Sequence, residues 1–583
     1  MKLVALALTV LSATFQTAGA GAYRDLRPDT WVATDALGRK LPGYDQCGAP
    51  KANRTVGIFY FLWLGQHGVG GPFDITEILR ENPRNPQYGP VHAHHHWGKP
   101  ELGYYTSNSR YAMRKHARIL SDAGVDVLIF DTTNAITYRG VYMILCEEFA
   151  KLRKGGQRTP GIMFLTHTAP DKTITKLYNE FYSKGLQRDL WFHWKGKPLI
   201  LGKPGNLPPK IRKFFNVRDC WAWSGGKDTW QWLDHYPQKY GWHEDPKKPE
   251  EVSVCVAQHA TSNIGRSYLN HKQPPINGMA VAEDTHKGLY FAQQWKHALK
   301  LDPEFVFVTG WNEWTAARFI NKDGKAPNNR LLGKRLKPGD TFFVDAYSQE
   351  YSRDIEPMAG GHGDNYYYQM VAGIRKYKGV RKHLKASAPK TIKIDGNFTK
   401  EWRHVQPEFR DHIGDVEHRD EKGWGDAGRY VNTTGRNDFT AMKVARDSDN
   451  VYFHAKTHKT ISSYKDSNWM LLFIDVDRDS KTGWNGYDYV ANLEVKDRST
   501  TSLHSLRTSK WNPKKVVDIK YAVTGNELEL AIPRDAVGIG KTAAVNVDFH
   551  WADNVRKLGD IVEFAINGDS APQRRFNYRY SGN

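Results

Sequence analysis

The stretch Phe305-Val-Phe-Val-Thr-Gly-Trp-Asn-Glu-Trp314 decides how the first two thirds of this chain are read. It opens as an unbroken run of β-branched and aromatic residues, the pattern of a strand covered on both faces, and it ends abruptly in a carboxylate held between two indoles. A strand covered on both faces belongs to a parallel sheet flanked by helices, so the flanking sequence should repeat the unit. It does. Similar runs lie at Val56–Leu64, Val125–Asp131, Gly161–His167, Pro198–Lys203, Cys220–Ser224, Val252–Gln258 and Phe342–Tyr347. Helix-like stretches separate several of them, at Arg110–Ala123, Val141–Lys154 and Thr173–Lys184, and a last one follows at Asp364–Tyr377. Eight βα units predict an α/β fold of the (β/α)8 TIM barrel type. A doubly wound nucleotide-binding sheet is not supported, because no GxGxxG or GxxxxGK[ST] follows any run.

The small, proline-containing segment Lys385-Ala-Ser-Ala-Pro389 marks a change of composition. Beyond it the alternation has period two, at Thr391–Ile394, Phe439–Arg446, Val451–Thr457, Trp469–Asp475, Tyr487–Glu494, Val517–Val523 and Glu527–Ile532, which predicts an all-β sandwich domain. At the other end, Met1-Lys2, the apolar run Leu3 to Leu11 and Ala18-Gly19-Ala20 read as a secretory signal peptide cut after Ala20 or Ala22. The expected division is a signal peptide at 1–22, the barrel at 23–387 and the sandwich at 388–583. No later run is long enough for a transmembrane segment, so the protein is expected to be secreted or periplasmic.

Across 583 residues, 83 Lys and Arg outweigh 63 Asp and Glu, for a formal charge of +20. That excess attracts polyanions, and export argues against nucleic acid as the partner. With 19 Trp, 29 Tyr and 25 Phe, rings are available to line clefts as well as the core. The four cysteines, Cys47, Cys146, Cys220 and Cys255, show no CxxC spacing, and neither a disulfide scaffold nor a zinc site is expected.

In a barrel of this kind the working residues sit at the C-terminal ends of the strands. The runs here close on Trp63, on Asp131-Thr-Thr-Asn134, on His167, on Trp221 and Trp223, on Gln258-His259 and on Trp311-Asn312-Glu313-Trp314. Burying Glu313 between indoles raises its proton affinity and suits it to acid or nucleophilic chemistry. The run His92-Ala-His-His-His96 lacks any patterned metal-ligand partner, and it leads into Trp97 and Tyr104-Tyr105, so it reads as a ligand-contacting loop.

Trp311-Asn-Glu-Trp314, His95-His-Trp-Gly-Lys-Pro-Glu-Leu-Gly-Tyr-Tyr105 and Asp354-Ile-Glu-Pro357 together resemble the barrel of glycoside hydrolase family 99, the endo-α-mannosidases and endo-α-mannanases, and the wider 99/71-like group, over roughly residues 54 to 380. The resemblance implies a glycosidase in which Glu313 is the first of two carboxylates. The second falls on Ala316, where this chain departs from the family. Hydrolysis normally needs two carboxyl groups, so either another acid supplies the missing role or the domain binds sugar without cutting it. Asp345, Glu350 and Asp354 are the catalytic candidates from the last loop, with Asp131 and Glu356 beside them and Glu283 a weaker one. Trp63, Trp97, Tyr104, Tyr105, Asp131, His167, Trp311, Asn312, Trp314 and Glu356 are the expected substrate contacts.

In the C-terminal part, Ile394-Asp-Gly-Asn-Phe-Thr-Lys-Glu-Trp402 and Leu472-Phe-Ile-Asp-Val-Asp-Arg-Asp-Ser-Lys-Thr-Gly-Trp484 resemble family 9 carbohydrate-binding modules. Asp475, Asp477 and Asp479 alternate as oxygen ligands of a hard cation do, a pattern that admits a structural calcium, and Trp484 is a candidate sugar platform. No cofactor is required for the chemistry. The sequence thus reads as a secreted glycoside hydrolase (a glycosidase) acting on a polysaccharide or oligosaccharide, with the basic charge pointing to an anionic one. The alternative is a noncatalytic carbohydrate-binding protein with a degenerate barrel.

Overall fold

Alternate residues of each apolar run face opposite ways, and this sorts the first part of the chain into two packed shells. The computed structural model describes residues 23–276, 278–324, 330–345 and 347–582, so the expected signal peptide lies outside the described residues. Phe59, Ile129, Met163, Leu165, Leu199 and Phe307 pack inside a ring, while Ile58, Leu128, Phe164 and Val254 face out under the helices. The ring strands are β1 (Thr55–Tyr60), β2 (Val127–Thr132), β3 (Gly161–Thr166), β4 (Lys197–Leu201), β5 (Asn216–Cys220), β6 (Thr229–Trp230), β7 (Glu251–Cys255) and β8 (Phe305–Trp311). Parallel pairing runs β6-β5-β4-β3-β2-β1-β8-β7. Between β6 and β7 the ring is nearly closed, and there Gln231 donates its backbone N–H to the Glu251 carboxylate at 3.0 Å. At Gly57 the interior has no room for a side chain: a Cβ would lie 2.5 Å from the Phe305 ring.

Helix α1 (Arg110–Ala123) forms where expected; Ser109 caps it by accepting the Ala112 N–H at 3.0 Å, and Gly124, at φ 88°, ends it. The other main helices of this part are α2 (Arg139–Lys154), α3 (Pro170–Leu177), α4 (Leu289–Leu301) and α5 (Asn365–Lys378).

Two strand expectations are corrected. The run at Phe342–Tyr347 is not a barrel strand. Thr341–Phe343 pairs with Thr315–Ile320, which pairs with His94–His96, in a separate small sheet at the end of the ring where β8 finishes. Its place in the ring is taken by β6, two residues long and too short to leave an apolar run. The fifth strand lies earlier than Cys220–Ser224; it includes Arg218, a charge that breaks the apolar pattern and is buried in an ion pair with Glu250 at 2.7 Å.

The C-terminal part was expected as a sandwich of strands. It is one continuous antiparallel sheet of eleven strands that curls into a barrel-like shape, running from Glu408–Arg410 to Val545–Asp553, with Asp569–Ala571 and Tyr578–Gly582 both on the last. Thr391–Ile394 forms no strand. Between Arg410 and Phe439 the chain leaves this sheet as a strap that includes the hairpin Arg419–Lys422/Arg429–Asn432. The strap reaches the first barrel loops. Trp424 donates its backbone N–H to the Tyr104 carbonyl at 2.7 Å and its indole N–H to the Gly70 carbonyl at 2.8 Å. Arg574 forks onto Glu101 at 2.6 and 2.8 Å, a second buried tie between the two parts. The four cysteines are unpaired, and no helix among the described residues is long and apolar enough to cross a membrane.

Candidate active site

At the end of β8 the chain turns through Asn312, at φ 63°, a conformation asparagine tolerates better than most residues. Its side-chain amide accepts the Phe61 N–H at 2.8 Å and donates to the Phe61 carbonyl at 2.9 Å, so it pairs with the backbone just beyond β1. Its own N–H donates to Asp354 Oδ1 at 3.1 Å, and the same oxygen accepts the Glu356 N–H at 2.9 Å. Glu356 in turn accepts from the Trp314 indole and the Tyr105 hydroxyl, both at 2.6 Å, and lies 3.0 Å from His116 Nε2. Trp97 stacks on Trp314, centroids 4.4 Å apart, and donates its indole N–H to the Glu313 carbonyl at 2.8 Å. Trp97, Tyr105, Trp311, Asn312, Trp314 and Glu356 are therefore all buried and form the wall behind Glu313 rather than an open platform.

Glu313 is 1% exposed. Its Oε1 accepts from Arg353 Nη2 at 2.8 Å, while Oε2 has no partner. The same Arg353 nitrogen donates to Asp345, which brings the two carboxylates within two hydrogen-bond lengths of each other. Arg353 Nη1 donates to the Gln258 carbonyl at 3.0 Å, and the guanidinium lies 5.3 Å from the centroid of the Trp232 ring. Burial pushes the Glu313 carboxyl up to about 8; Arg353 opposes the shift, and the negative charges of Asp345 and Asp131 add to it. Asp131, at the end of β2, accepts from the Trp63 indole at 3.0 Å and from the Thr133 N–H and hydroxyl at 3.0 and 2.8 Å. Burial raises its carboxyl as well, against those hydrogen bonds. Asp354 is buried beside this group, with Oδ2 unpartnered and its carboxyl raised well above the usual range by burial and by Glu356.

Rings surround these acids. His167, beyond β3, stacks on Trp221 beyond β5 with centroids 3.5 Å apart, and Trp221 meets Trp232 edge-on at 5.8 Å. Trp223 is 45% exposed and donates its indole N–H to Gln258 Oε1 at 3.0 Å. On the opposite side Trp63 faces His94 at 5.9 Å, and His94 lies over His67 at 6.0 Å. Burial lowers His94 to about 4, which keeps it neutral at ordinary pH. Arg353 and Trp232 carry weight here that the sequence did not assign them, whereas His94 belongs to the histidine run read as a ligand-contacting loop. Trp230-Gln-Trp232 was the one available signal, a polar residue between two indoles.

Other sequence-named residues fall elsewhere. Glu350 is buried in its own nest, accepting from the Ser267 N–H and hydroxyl at 2.9 and 2.8 Å, Gln273 at 2.8 Å and Thr285 at 2.5 Å, so its oxygens are committed to the loops around it. Tyr104 donates its hydroxyl to Asp74 at 2.9 Å, below the strap. Ala316 lies in the small sheet opposite His95, buried. Trp484 is 4% exposed and packs against Phe473, Trp511 and Phe564, a core position rather than a platform. Asp475 and Asp477 converge with Asp488, oxygens within 4.8 Å of one another, whereas Asp479 stands outside this group and caps the Lys481 N–H at 3.1 Å.

No protein-family model and no curated protein matches the chain. Among solved structures it is similar to a glycoside hydrolase family 99 endo-alpha-mannosidase from Bacteroides thetaiotaomicron, at 15% identity and a TM-score of 0.31, covering 56% of this chain and 98% of that one. The complex of such an enzyme with BIS-TRIS-propane gives 14% identity and a TM-score of 0.32 over the same shares. A glycoside hydrolase-like protein gives 11% identity and a TM-score of 0.26, covering 58% of this chain and 99% of that one. At these scores no residue role carries across.

Proposed function

We propose that the chain is a secreted glycoside hydrolase whose barrel cleaves a polysaccharide, with Glu313 as the proton donor. One observation carries the reading: a buried glutamate at the end of a barrel strand, raised to about 8, shares one arginine nitrogen with a second carboxylate, Asp345. A group with that proton affinity is protonated at neutral pH and can protonate a glycosidic oxygen. Asp345 supplies the second carboxylate, left without a counterpart at Ala316. Retaining pairs stand roughly 5–5.5 Å apart, which suits two acids bridged by one donor. Asp131 lies across the mouth as the next acid within the same field, and Asp354 sets the turn that presents Glu313. His167, Trp221, Trp223 and Trp63 offer ring faces for the sugar.

The charge of +20 favours an anionic glycan, sulfated or rich in uronic acid. Calcium at Asp475, Asp477 and Asp488 in the C-terminal part is a further element of the proposal, structural and not catalytic. The deciding experiment is release of reducing ends from a panel of neutral and anionic polysaccharides by the wild type, Glu313→Gln and Asp345→Asn, with binding measured alongside. Activity lost in both variants with binding kept supports the reading. Wild-type inactivity across the panel with retained binding would favour a noncatalytic carbohydrate-binding protein, which the near-complete burial of Glu313 and its pairing to Arg353 also suit.

A further inference from the structure

Away from the barrel mouth, where the strap leaves and rejoins the C-terminal sheet, four aspartates meet. Asp411 and Asp415 stand at the start of the strap, Asp438 at its end, and Asp569 comes from the strand beside it. All are buried, Asp411 completely. Oxygens of Asp411, Asp415 and Asp569 lie within 4.8 Å of one another. Most of the remaining oxygens are accounted for: Asp438 accepts the Gly414 N–H at 2.8 Å, Asp569 accepts the N–H groups of Phe439 and Ser570 at 2.6 and 2.8 Å, and Asp415 accepts from Gln573. Both carboxylate oxygens of Asp411 have no partner, and neither has Asp415 Oδ1. Among the described residues none of the four is in an ion pair. Arg24, the nearest guanidinium to Asp411, donates instead to the backbone carbonyls of Asp411 and Thr440. Asp122, beside them at the end of α1, is occupied by His412 at 3.1 Å.

A buried carboxylate without a hydrogen-bond partner or an ion pair is costly for a protein to hold. Asp411 is in that position: neither oxygen is partnered, Arg24 supplies a counter-charge only through space, and its oxygens lie together with those of Asp415 and Asp569. We propose that Asp411, Asp415 and Asp569, with Asp438 behind them, form a binding site for one hard divalent cation of the calcium type. Such an ion takes six to eight oxygen ligands and tolerates irregular geometry, as carboxylates from separate loops provide. Magnesium, which demands a near-ideal octahedron and sheds water reluctantly, suits it less. The ion would fix both roots of the strap, and through Trp424 and Tyr430 the strap presses on the Gly70 and Tyr104 segments beside the barrel mouth. The site is distinct from the acidic loop at Asp475 and Asp477, and it does not depend on the proposed catalysis.

The test uses the full chain, stripped with chelator and then titrated with calcium, magnesium or manganese, with bound metal counted by mass spectrometry and melting followed in parallel. Expected are tight retention of calcium, a melting temperature lower by roughly 5 °C or more in the stripped protein, and recovery on adding calcium ahead of magnesium. Asp411→Asn should lose one bound equivalent that Asp477→Asn keeps. A wild type that holds no divalent ion and melts unchanged with chelator or calcium overturns the site, as does an Asp411→Asn variant with the full calcium count. Should Asp411→Asn fail to fold, Asp477→Asn alone decides: one chelatable equivalent remaining supports the site, none overturns it. If instead the stripped wild type simply becomes more stable as pH falls, with no response to metal, the cluster holds protons among Lys115, Arg118 and Lys459 and the proposal fails.

Discussion

Arg353 holds the carboxylate of Glu313 at 2.8 Å with both side chains buried, and this pair sits at the end of β8 in front of the stacked indoles of Trp97 and Trp314. The pairing is incomplete by design of the geometry. One Glu313 oxygen is paired and the other, buried as well, has no partner, so a proton can reside there without breaking the bond to Arg353.

Activity should follow that proton. With Glu313 raised to about 8, the protonated acid predominates below that pH, and kcat/KM falls as pH rises through it. The pH profile on the best glycan checks this, and Glu313→Gln should lower turnover by roughly 100- to 10,000-fold and abolish the alkaline limb. A limb that persists in Glu313→Gln assigns it to another group.

Removing the guanidinium should move the same limb. In Arg353→Met the cation that opposes protonation of Glu313 is gone, so the alkaline limb shifts to higher pH while turnover drops. Loss of one partner from a buried pair costs about 3–5 kcal/mol, visible as an earlier denaturant midpoint. An unmoved limb would remove Arg353 from the site's electrostatics.

A second buried pair tests the scaffold alone. Against the cost of burial, hydrogen bonds from Arg218, Trp194 and Trp230 hold the Glu250 carboxyl down to about 2. A depressed carboxylate stabilises the fold above its unfolded value of roughly 4.3 and loses that contribution as pH falls toward 2. Glu250→Gln should cost about 3–5 kcal/mol at pH 7 and flatten the acid side of the stability curve, measured by urea unfolding from pH 7 to pH 3.

Ring faces at the mouth should matter to binding and little to folding. Trp223, 45% exposed, has little packing to lose. Trp223→Ala should weaken oligosaccharide binding by about 3- to 10-fold, the worth of one stacked ring, with melting nearly unchanged. Titration calorimetry beside a melting curve separates the two.

If the substrate is anionic, affinity should fall steeply as salt rises from 50 to 500 mM, because exposed charges are screened beyond roughly 10 Å at 0.1 M. Binding that ignores salt removes the anionic reading and leaves the basic surface as a solvated face.

The layered character of this protein is legible in chain order: continuous apolar runs separated by helical periods suit a parallel sheet under helices, and the period-two runs beyond Pro389 suit antiparallel pairing. The sequence by itself also located Glu313, because an acid closing an apolar strand between two tryptophans is legible in ten residues. Tertiary structure decided the rest. Ring closure passed to Thr229–Trp230, two residues too few to leave a hydrophobic signature, and Phe342 went to the small sheet instead. Glu350 and Asp345 are equally acidic in the sequence; the folded chain spends every oxygen of the first on Ser267, Gln273 and Thr285 and sets the second against Arg353. Asp411, Asp415 and Asp569 are separated by up to 158 residues of chain between Asp411 and Asp569, as their numbers show, and only the return of the last strands brings their oxygens within 4.8 Å. Local pattern fixes what each segment must bury, whereas which charges face one another depends on contacts between segments distant in the chain.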